Sequence, residues 1–306
     1  MPDQTAVPDQ TAVPEQRYAF VLGTGRCGST LVHEVLARHP DVGFVTNVDD
    51  RIGTSAAGRV QARLYRRLPA SATQKGRLRL APSEAYRALE REVSPIVASP
   101  ARDLEASDAL PWLADRFRRF FDERAAAWDA PLFLHKFTGW PRAGFIDAVL
   151  PGSRYVHVVR DGRAVAASWL QTEWWRGHLG PAGWHFGPLP DAYEKEWEAS
   201  GRSFVLLAGL AWKLLLDAFD DARQRIDGAR WLEVRYEDGL ADPRGRTAEI
   251  LEFLDLAWDD AFESGFRAFR FDGGRARAWR SVLGDEASAE LDASLADHLA
   301  RRGYEV

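Results

Sequence analysis

A short apolar run followed by a glycine-rich turn and a helical pattern constrains the fold of this chain more than any other feature. Residues 18–22 are apolar and stop at Gly23, which predicts a buried strand. Residues 29–38 have apolar side chains at helical spacing. A strand, a glycine-rich turn and a helix in this order open a βαβ unit, whose strands pair in parallel.

The rest of the chain continues the alternation of strands and helices. Further strands are predicted at residues 43–46, 131–136, 154–159 and 230–236, and helices at 143–150, from about 161, at 203–226 and at 243–254. The fold class predicted is α/β, a P-loop-like three-layer fold with a central, mainly parallel sheet and helical insertions. Ligands of such sheets bind beyond the carboxyl ends of the strands, so the residues that follow each strand are the candidates for a site.

The 306 residues are expected to form a flexible tail and one domain. Residues 1–16 repeat a polar, proline-punctuated unit of seven residues and are predicted to be the tail. Residues 17–306 are predicted to form a single α/β domain that carries a mostly helical insertion at 51–128 and a tryptophan-rich loop at 171–202. Because Cys27 is the only cysteine, an internal disulfide framework is excluded.

The exit of the first strand has the composition of a phosphate-binding loop. Gly23 and Gly28 are spaced as in a nucleotide P-loop, and Arg26, Ser29 and Thr30 add donors around a helix N-terminus. Ser29 stands where a P-loop NTPase has its lysine. The alternative is a glycine-rich turn that binds nothing.

The exit of the 154–159 strand offers a second candidate phosphate site. Arg160 lies at the strand end and Ser168 two helical turns later, so a guanidinium and a hydroxyl are available at one place. The alternative is a surface pair of Arg160 with Asp161, which would cap the helix.

The two segments together resemble the sulfotransferases that use 3′-phosphoadenosine-5′-phosphosulfate (PAPS), most of all the bacterial and tyrosylprotein branches. The resemblance covers residues 18–42, 131–170 and 230–255 and, faintly, 271–281. It implies transfer of a sulfuryl group from PAPS to a hydroxyl or amine, release of 3′-phosphoadenosine-5′-phosphate (PAP), and no required metal. The residues implied to bind the cofactor are Arg26, Cys27, Gly28, Ser29 and Thr30 at the 5′-phosphosulfate, Arg160 and Ser168 at the 3′-phosphate, Tyr236 at adenine, and Arg275 and Arg277 in a loop that closes over it.

The resemblance leaves the catalytic base open. Lys136 matches a family lysine and is expected to stabilise charge on the leaving oxygen. Thr138 stands where the steroid-type enzymes have a catalytic histidine, whereas tyrosylprotein enzymes place a glutamate after the second strand, where this chain has aspartates. The candidate bases are Asp49 first, His135 second and Asp50 third. On a strand, His135 points away from the face of Lys136, so a core histidine is an equal alternative.

Two segments outside the resemblance are candidates for the acceptor site. Five tryptophans between residues 169 and 197 are interleaved with Gly and Pro, which suits a binding lid, and rings that cap the core are an equal alternative. Residues 51–91 carry ten Lys or Arg against two Glu, typical of a solvated helical face, with docking of an anionic acceptor or partner as the alternative. The expected acceptor is a small molecule, a glycan or a lipid.

Two other functions stay open at this stage. A P-loop small-molecule kinase would need the lysine that Ser29 replaces, and a non-catalytic nucleotide-binding protein would not need Lys136. The net charge of −5 argues against a general nucleic-acid binder. The longest apolar stretch, 204–219, contains Lys213 and Asp217 and suits a buried helix rather than a membrane span. The expectation is therefore a cytoplasmic, bacterial enzyme.

Overall fold

One parallel sheet forms the centre of the protein. The computed structural model describes residues 16–53, 58–68, 81–276 and 278–305, and for residues 58, 59, 62, 275 and 276 the backbone alone. The strands of this part of the chain are β1 (Arg17–Gly23), β2 (Val42–Phe44), β3 (Leu132–Thr138), β4 (Arg154–Val159) and β5 (Trp231–Arg235). They pair in parallel in the order β2-β3-β1-β4-β5, with β1 between β3 and β4. The predicted α/β fold with a parallel central sheet is confirmed.

Helices follow the strands and build the insertions between them. In chain order they are α1 (Ser29–Leu36), α2 (Asn47–Ile52), α3 (Gly58–Arg67), α4 (Tyr86–Glu92), α5 (Pro95–Ala98), α6 (Pro111–Trp128), α7 (Ala143–Val149), α8 (Gly162–Trp169), α9 (Asp191–Ala199), α10 (Phe204–Arg225), α11 (Tyr236–Ala241), α12 (Pro243–Phe253), α13 (Asp260–Phe266) and α14 (Trp279–Arg301).

The sheet is apolar on both faces because two hydrophobic clusters sandwich it. Phe20 and Leu22 of β1 belong to one cluster, while Ala19 and Val21 belong to the other. All four side chains are fully buried. Burying a Val, Leu or Phe side chain stabilises a fold by about 1.5–3 kcal/mol, so an uninterrupted apolar run is what a two-sided sheet requires.

The long apolar stretch near residue 204 is a core helix. It forms α10, which packs against α8 and α14. Its Lys213 is buried, and Nζ donates to Glu196 Oε2 at 3.0 Å. None of the described helices combines the length and the apolar character that crossing a bilayer requires.

Several boundaries differ from the sequence predictions. Strand β2 ends at Phe44 rather than at residue 46, because Thr46 Oγ1 accepts a hydrogen bond from Asp49 N at 3.1 Å and caps α2. Residues 171–202 are not a loop throughout, since α9 begins directly after Pro190. The tail prediction falls mostly on residues 1–15, and the arginine-rich segment includes 54–57 and 69–80; these residues lie outside the described part of the chain.

Candidate active site

The carboxyl ends of β1, β3 and β4 open into one large cavity. Its volume is about 1110 Å³. The loop after β1, the residues after β3, Arg160 after β4, the start of α11 and part of the tryptophan-rich segment line it. The residues that follow the strands are therefore brought together, as a parallel sheet predicts.

The loop between β1 and α1 has the shape of an anion cradle. Gly25 and Gly28 adopt positive φ angles of 85° and 93°, which glycine reaches without strain. A Cβ on Gly28 would lie 2.1 Å from the Tyr236 ring, so only glycine permits this contact. Ser29 then begins α1, whose first N–H groups and positive dipole end point to the loop.

Cys27 lies beneath this loop rather than in the cavity. Its side chain is fully buried in the cluster on the α1 face of the sheet. A Cβ on Gly23 would lie 2.3 Å from Cys27 Sγ, which shows how closely the thiol packs under the turn. Only the backbone of Cys27 can contribute to ligand binding in this arrangement.

The second candidate phosphate site joins the first. Arg26 Nε donates to Ser168 Oγ at 2.8 Å, and Arg160 Nη1 donates to the carbonyl oxygen of Arg26 at 2.9 Å. The Arg160 guanidinium carbon lies 4.9 Å from the centre of the Tyr236 ring. Residues from three parts of the sequence, Arg26, Arg160 with Ser168, and Tyr236, thus form one basic, aromatic corner.

Lys136 connects the cradle to a carboxylate that the sequence analysis missed. Its Nζ donates to Thr30 Oγ1 at 2.7 Å and forms an ion pair with Glu84 Oε1 at 2.5 Å. Glu84 Oε2 accepts a hydrogen bond from Thr138 Oγ1 at 3.0 Å, and the Tyr86 hydroxyl lies 3.1 Å from that same oxygen of Thr138. Glu84 lines the cavity directly above the end of β3.

The electrostatics of this centre keep Glu84 ionised. Burial by itself would raise its pKa, but the charge of Lys136 and the hydrogen bonds from Lys136, Tyr86 and Thr138 hold the pKa of Glu84 below its usual value. A signal for this residue existed, since Glu84 is one of only two glutamates among the basic residues of 51–91.

The structure argues against both aspartates as the base. Asp49 is 5% exposed, and Arg124 Nε donates to its Oδ2 at 2.8 Å. Burial raises the pKa of Asp49 against the opposing charge of Arg124. Asp50 Oδ1 accepts from Ala88 N at 3.0 Å. Neither aspartate lines the cavity, so their side chains support the helical insertion.

His135 is also misplaced for catalysis. It is fully buried between Phe20, Phe121 and Phe137, with ring centres 6.4, 5.2 and 4.7 Å away. Burial lowers its pKa to about 3. As the alternation of β3 implies, it faces away from Lys136, and the reading as a core histidine fits the structure.

The tryptophan-rich segment contributes to both core and cavity. Trp169, Trp175 and Trp184 are buried, whereas Trp174 is 47% exposed and lines the cavity together with Phe186. The alternative of rings that cap the core therefore fits the three buried tryptophans, and the alternative of a binding lid fits Trp174.

One close backbone contact fixes where this segment runs. A Cβ on Gly187 would lie 2.2 Å from the carbonyl oxygen of Ala101, so the segment presses against Ala101, which directly follows the cavity-lining residues 98–100. Both segments therefore contribute to the lining of the cavity.

The predicted closing loop is only partly described. The side chains of Arg275 and Arg277 lie outside the described part of the chain. Arg270 and Asp272, a few residues earlier, line the cavity near Tyr236. Across the described residues, no three His, Cys, Asp or Glu side chains are grouped in a way that could hold a metal ion.

Residues 19–260 match the sulfotransferase family. The chain belongs to this family. The resemblance inferred from the two phosphate-site motifs is thereby confirmed, and transfer of a sulfuryl group is the activity that membership supports.

Solved sulfotransferases share the fold. A sulfotransferase from Mycobacterium avium superposes with a TM-score of 0.58 at 15% identity, covering 95% of this chain and 78% of that one. The sulfotransferase domain of the curacin biosynthetic pathway gives 0.52 at 14% identity, covering 95% and 99%. The sulfotransferase domain of the Synechococcus PCC 7002 olefin synthase gives 0.50 at 18% identity, covering 92% and 96%. No protein of curated function matches the chain at a significant level.

Proposed function

We propose that the protein transfers the sulfuryl group of PAPS to the hydroxyl of a small-molecule acceptor, with Glu84 as the base. The observation that carries the proposal is the position of Lys136, whose Nζ bonds both Thr30 of the phosphate loop and Glu84. In-line transfer of a sulfuryl group from a phosphate to a hydroxyl that loses its proton needs a cation between the anion cradle and a carboxylate. Lys136 is in that position.

The donors around the cavity suit a nucleotide with phosphates at two positions. Ser29, Thr30 and the N-terminus of α1 suit the 5′ group, as Arg26 does. Arg160 and Ser168 lie beside Arg26 and suit the 3′-phosphate, with Arg270 as an additional cation at that end. Tyr236 packs on Gly28 and offers a ring for the adenine end.

Each residue of the Lys136 centre has a separate task in this proposal. When bound, PAPS supplies the sulfuryl group, which leaves the bridging oxygen of its phosphate and joins the acceptor oxygen. Lys136 lies beside the cradle and stabilises the negative charge left on that bridging oxygen. Glu84 takes the proton of the acceptor hydroxyl, and Thr138 holds the carboxylate in place.

Glu84 replaces Asp49 and His135 as the proposed base because of access. Its side chain is 27% exposed and lines the cavity, whereas Asp49 is locked to Arg124 and His135 is enclosed by phenylalanines. A base must reach the proton it removes, so geometry decides here before the pKa does.

A kinase is the less favoured function. Position 29 carries a serine instead of the P-loop lysine. Lys136 of β3, which lies beside the cradle, forms an ion pair with Glu84. This arrangement serves deprotonation of an acceptor rather than binding of a γ-phosphate. We propose a cytoplasmic bacterial enzyme that requires no metal for this reaction.

Calorimetry with PAP, and with ATP and Mg²⁺ in parallel, tests the proposal. Tight binding of PAP, and weaker binding of adenosine 5′-phosphate without the 3′-phosphate, is the expected result. Transfer of labelled sulfate from PAPS to a panel of phenols and alcohols, without added metal, then tests turnover. A preference for ATP with Mg²⁺ over PAP would contradict the proposal.

A further inference from the structure

The chain reverses after α14, and this turn packs Tyr304 against the end of β5. Gly303 adopts a positive φ of 71°, and Tyr304 N donates to the carbonyl oxygen of Leu299 at 2.9 Å, as at many helix ends. The guanidinium carbon of Arg235, the last residue of β5, lies 4.3 Å from the centre of the Tyr304 ring. Tyr304 is 8% exposed, so the segment after α14 is part of the packed protein.

The Tyr304 hydroxyl binds a carboxylate that lies between two strand exits. It donates to Glu237 Oε2 at 2.8 Å, and Glu237 Oε1 accepts from the backbone N–H of Asp161 at 3.2 Å. Glu237 directly follows Tyr236, and Asp161 directly follows Arg160. One carboxylate therefore joins the turn that carries Tyr236 to the turn that carries Arg160, and Tyr304 holds this carboxylate.

The side chain of Asp161 is fixed by the same part of the chain. Arg163 Nε donates to Asp161 Oδ1 at 3.0 Å, and Nη2 donates to Oδ2 at 2.8 Å. The guanidinium of Arg163 also donates to Asp292 Oδ1 of α14 at 2.6 Å and to the carbonyl oxygen of Glu305 at 2.8 Å. Charge-assisted hydrogen bonds of this kind are the strong ones. The turn after β4 is therefore anchored to α14 and to the segment that follows it.

Tyr304 and Glu237 do not line the cavity, whereas the residues that they fix do. Arg160 and Tyr236 are both part of its lining. Arg160 Nη1 donates to the carbonyl oxygen of Arg26 at 2.9 Å, and its guanidinium carbon lies 4.9 Å from the Tyr236 ring. Binding groups must be held within about 0.5 Å of their working geometry. The contacts that fix these two turns therefore bear on the affinity of the site.

We propose that Tyr304 is a positioning residue for the nucleotide. Through Glu237 it sets the position of Arg160 relative to Tyr236, and so couples the docking of the segment after α14 to the binding of the 3′-phosphate. This inference rests on the proposed function, because it requires a nucleotide with a 3′-phosphate at this corner. Coupling between two sites is reciprocal, so the bound nucleotide also stabilises the docked Tyr304.

Tyr304→Phe tests the inference because it removes the hydroxyl and keeps the ring. Calorimetry with the full-length protein measures the dissociation constants of PAP and of adenosine 5′-phosphate. PAP should bind about three- to tenfold more weakly, as expected for a residue that acts on a site through others. Adenosine 5′-phosphate, which lacks the 3′-phosphate, should be weakened by a smaller factor, so the preference for PAP should shrink.

Tyr193→Phe is the matched control because Tyr193 has the same kind of surroundings. Its hydroxyl donates to Asp217 Oδ2 at 2.5 Å, and Lys213 Nζ lies 4.5 Å from its ring centre. Tyr193 does not line the cavity. Thermal unfolding should show a loss of stability in both variants, whereas only Tyr304→Phe should weaken the binding of PAP.

Hydrogen exchange gives a readout that a purely structural role would not change. In the wild-type protein PAP should slow the exchange of the Tyr304 amide, which lies outside the cavity lining, and Tyr304→Phe should reduce this slowing. The inference would be overturned by unchanged PAP affinity in Tyr304→Phe, by an equal loss in Tyr193→Phe, by equal losses for both nucleotides, or by exchange at Tyr304 that ignores PAP. In each of these cases PAP binding would still support the sulfotransferase proposal. A wild-type protein that does not bind PAP would overturn both.

Discussion

Replacement of Glu84 by glutamine tests the assignment of the base most directly. The amide keeps the shape and can still accept a hydrogen bond from Lys136, but it cannot take up the acceptor proton. General base catalysis contributes roughly 10²–10⁴-fold to a rate. We therefore expect kcat for sulfate transfer to fall within that range, while the dissociation constant of PAP changes little.

The stability cost of this substitution follows from its contacts. Glu84 bonds Lys136 at 2.5 Å and Thr138 at 3.0 Å, and 27% of its side chain is exposed. Hydrogen bonds to charged groups contribute about 1.5–3 kcal/mol, and glutamine retains one of them, so the loss in free energy of unfolding should lie near the lower end. Thermal unfolding with and without PAP measures this loss and shows whether reduced turnover reflects a folded enzyme.

The rate should be measured with saturating PAPS and a phenol that the wild-type protein sulfates. Glu84→Asp shortens the side chain but keeps a carboxylate, so partial activity is expected from it. If Glu84→Gln retained wild-type kcat, Glu84 would not be the base. If it raised only KM for the acceptor, Glu84 would be an acceptor-binding residue instead.

Three further substitutions test the rest of the arrangement. Asp49→Asn should lower the free energy of unfolding by about 1.5–3 kcal/mol, and not more, because Glu92 still pairs with Arg124. It should leave kcat within about threefold, because Asp49 takes no part in proton transfer. A loss of turnover without a loss of stability would restore Asp49 as the base. Arg160→Ala should weaken PAP about ten- to a hundredfold in calorimetry but the nucleotide without the 3′-phosphate far less; equal losses would place Arg160 away from that phosphate. Lys136→Met should lower kcat and move the acid limb of the kcat–pH profile to higher pH. The charge of Lys136 holds the pKa of Glu84 down, and a base loses its activity as the pH falls through its pKa. An acid limb that does not move would show that Glu84 does not set it.

The sheet and the phosphate corner could be predicted because their signals are local. The apolar run before Gly23 identifies a strand buried on both faces, and the glycines after it identify a turn that approaches its surroundings closely. Arg160 and Ser168 follow a second strand, and a parallel sheet places the ends of its strands together whatever their separation in sequence.

The proposed base could not be predicted in the same way because its position depends on tertiary packing. Glu84 precedes α4, and the sequence around it has a basic helical pattern rather than the apolar run of a buried strand. Its place above β3 depends on Tyr86, whose hydroxyl accepts from Thr138 N at 3.1 Å and so fastens the start of α4 to the strand end. Asp49 follows β2, where tyrosylprotein enzymes place a glutamate, but its carboxylate is held by Arg124 on α6.

Thr138 holds the carboxylate that we propose as the base. A threonine hydroxyl is too weakly basic to accept the acceptor proton at neutral pH, so a chain with Thr at this point needs a base from elsewhere. The hydroxyl instead donates to Glu84 Oε2, while Lys136, two residues earlier on the same face of β3, binds Oε1. The strand thus fixes both oxygens of a carboxylate supplied by the insertion.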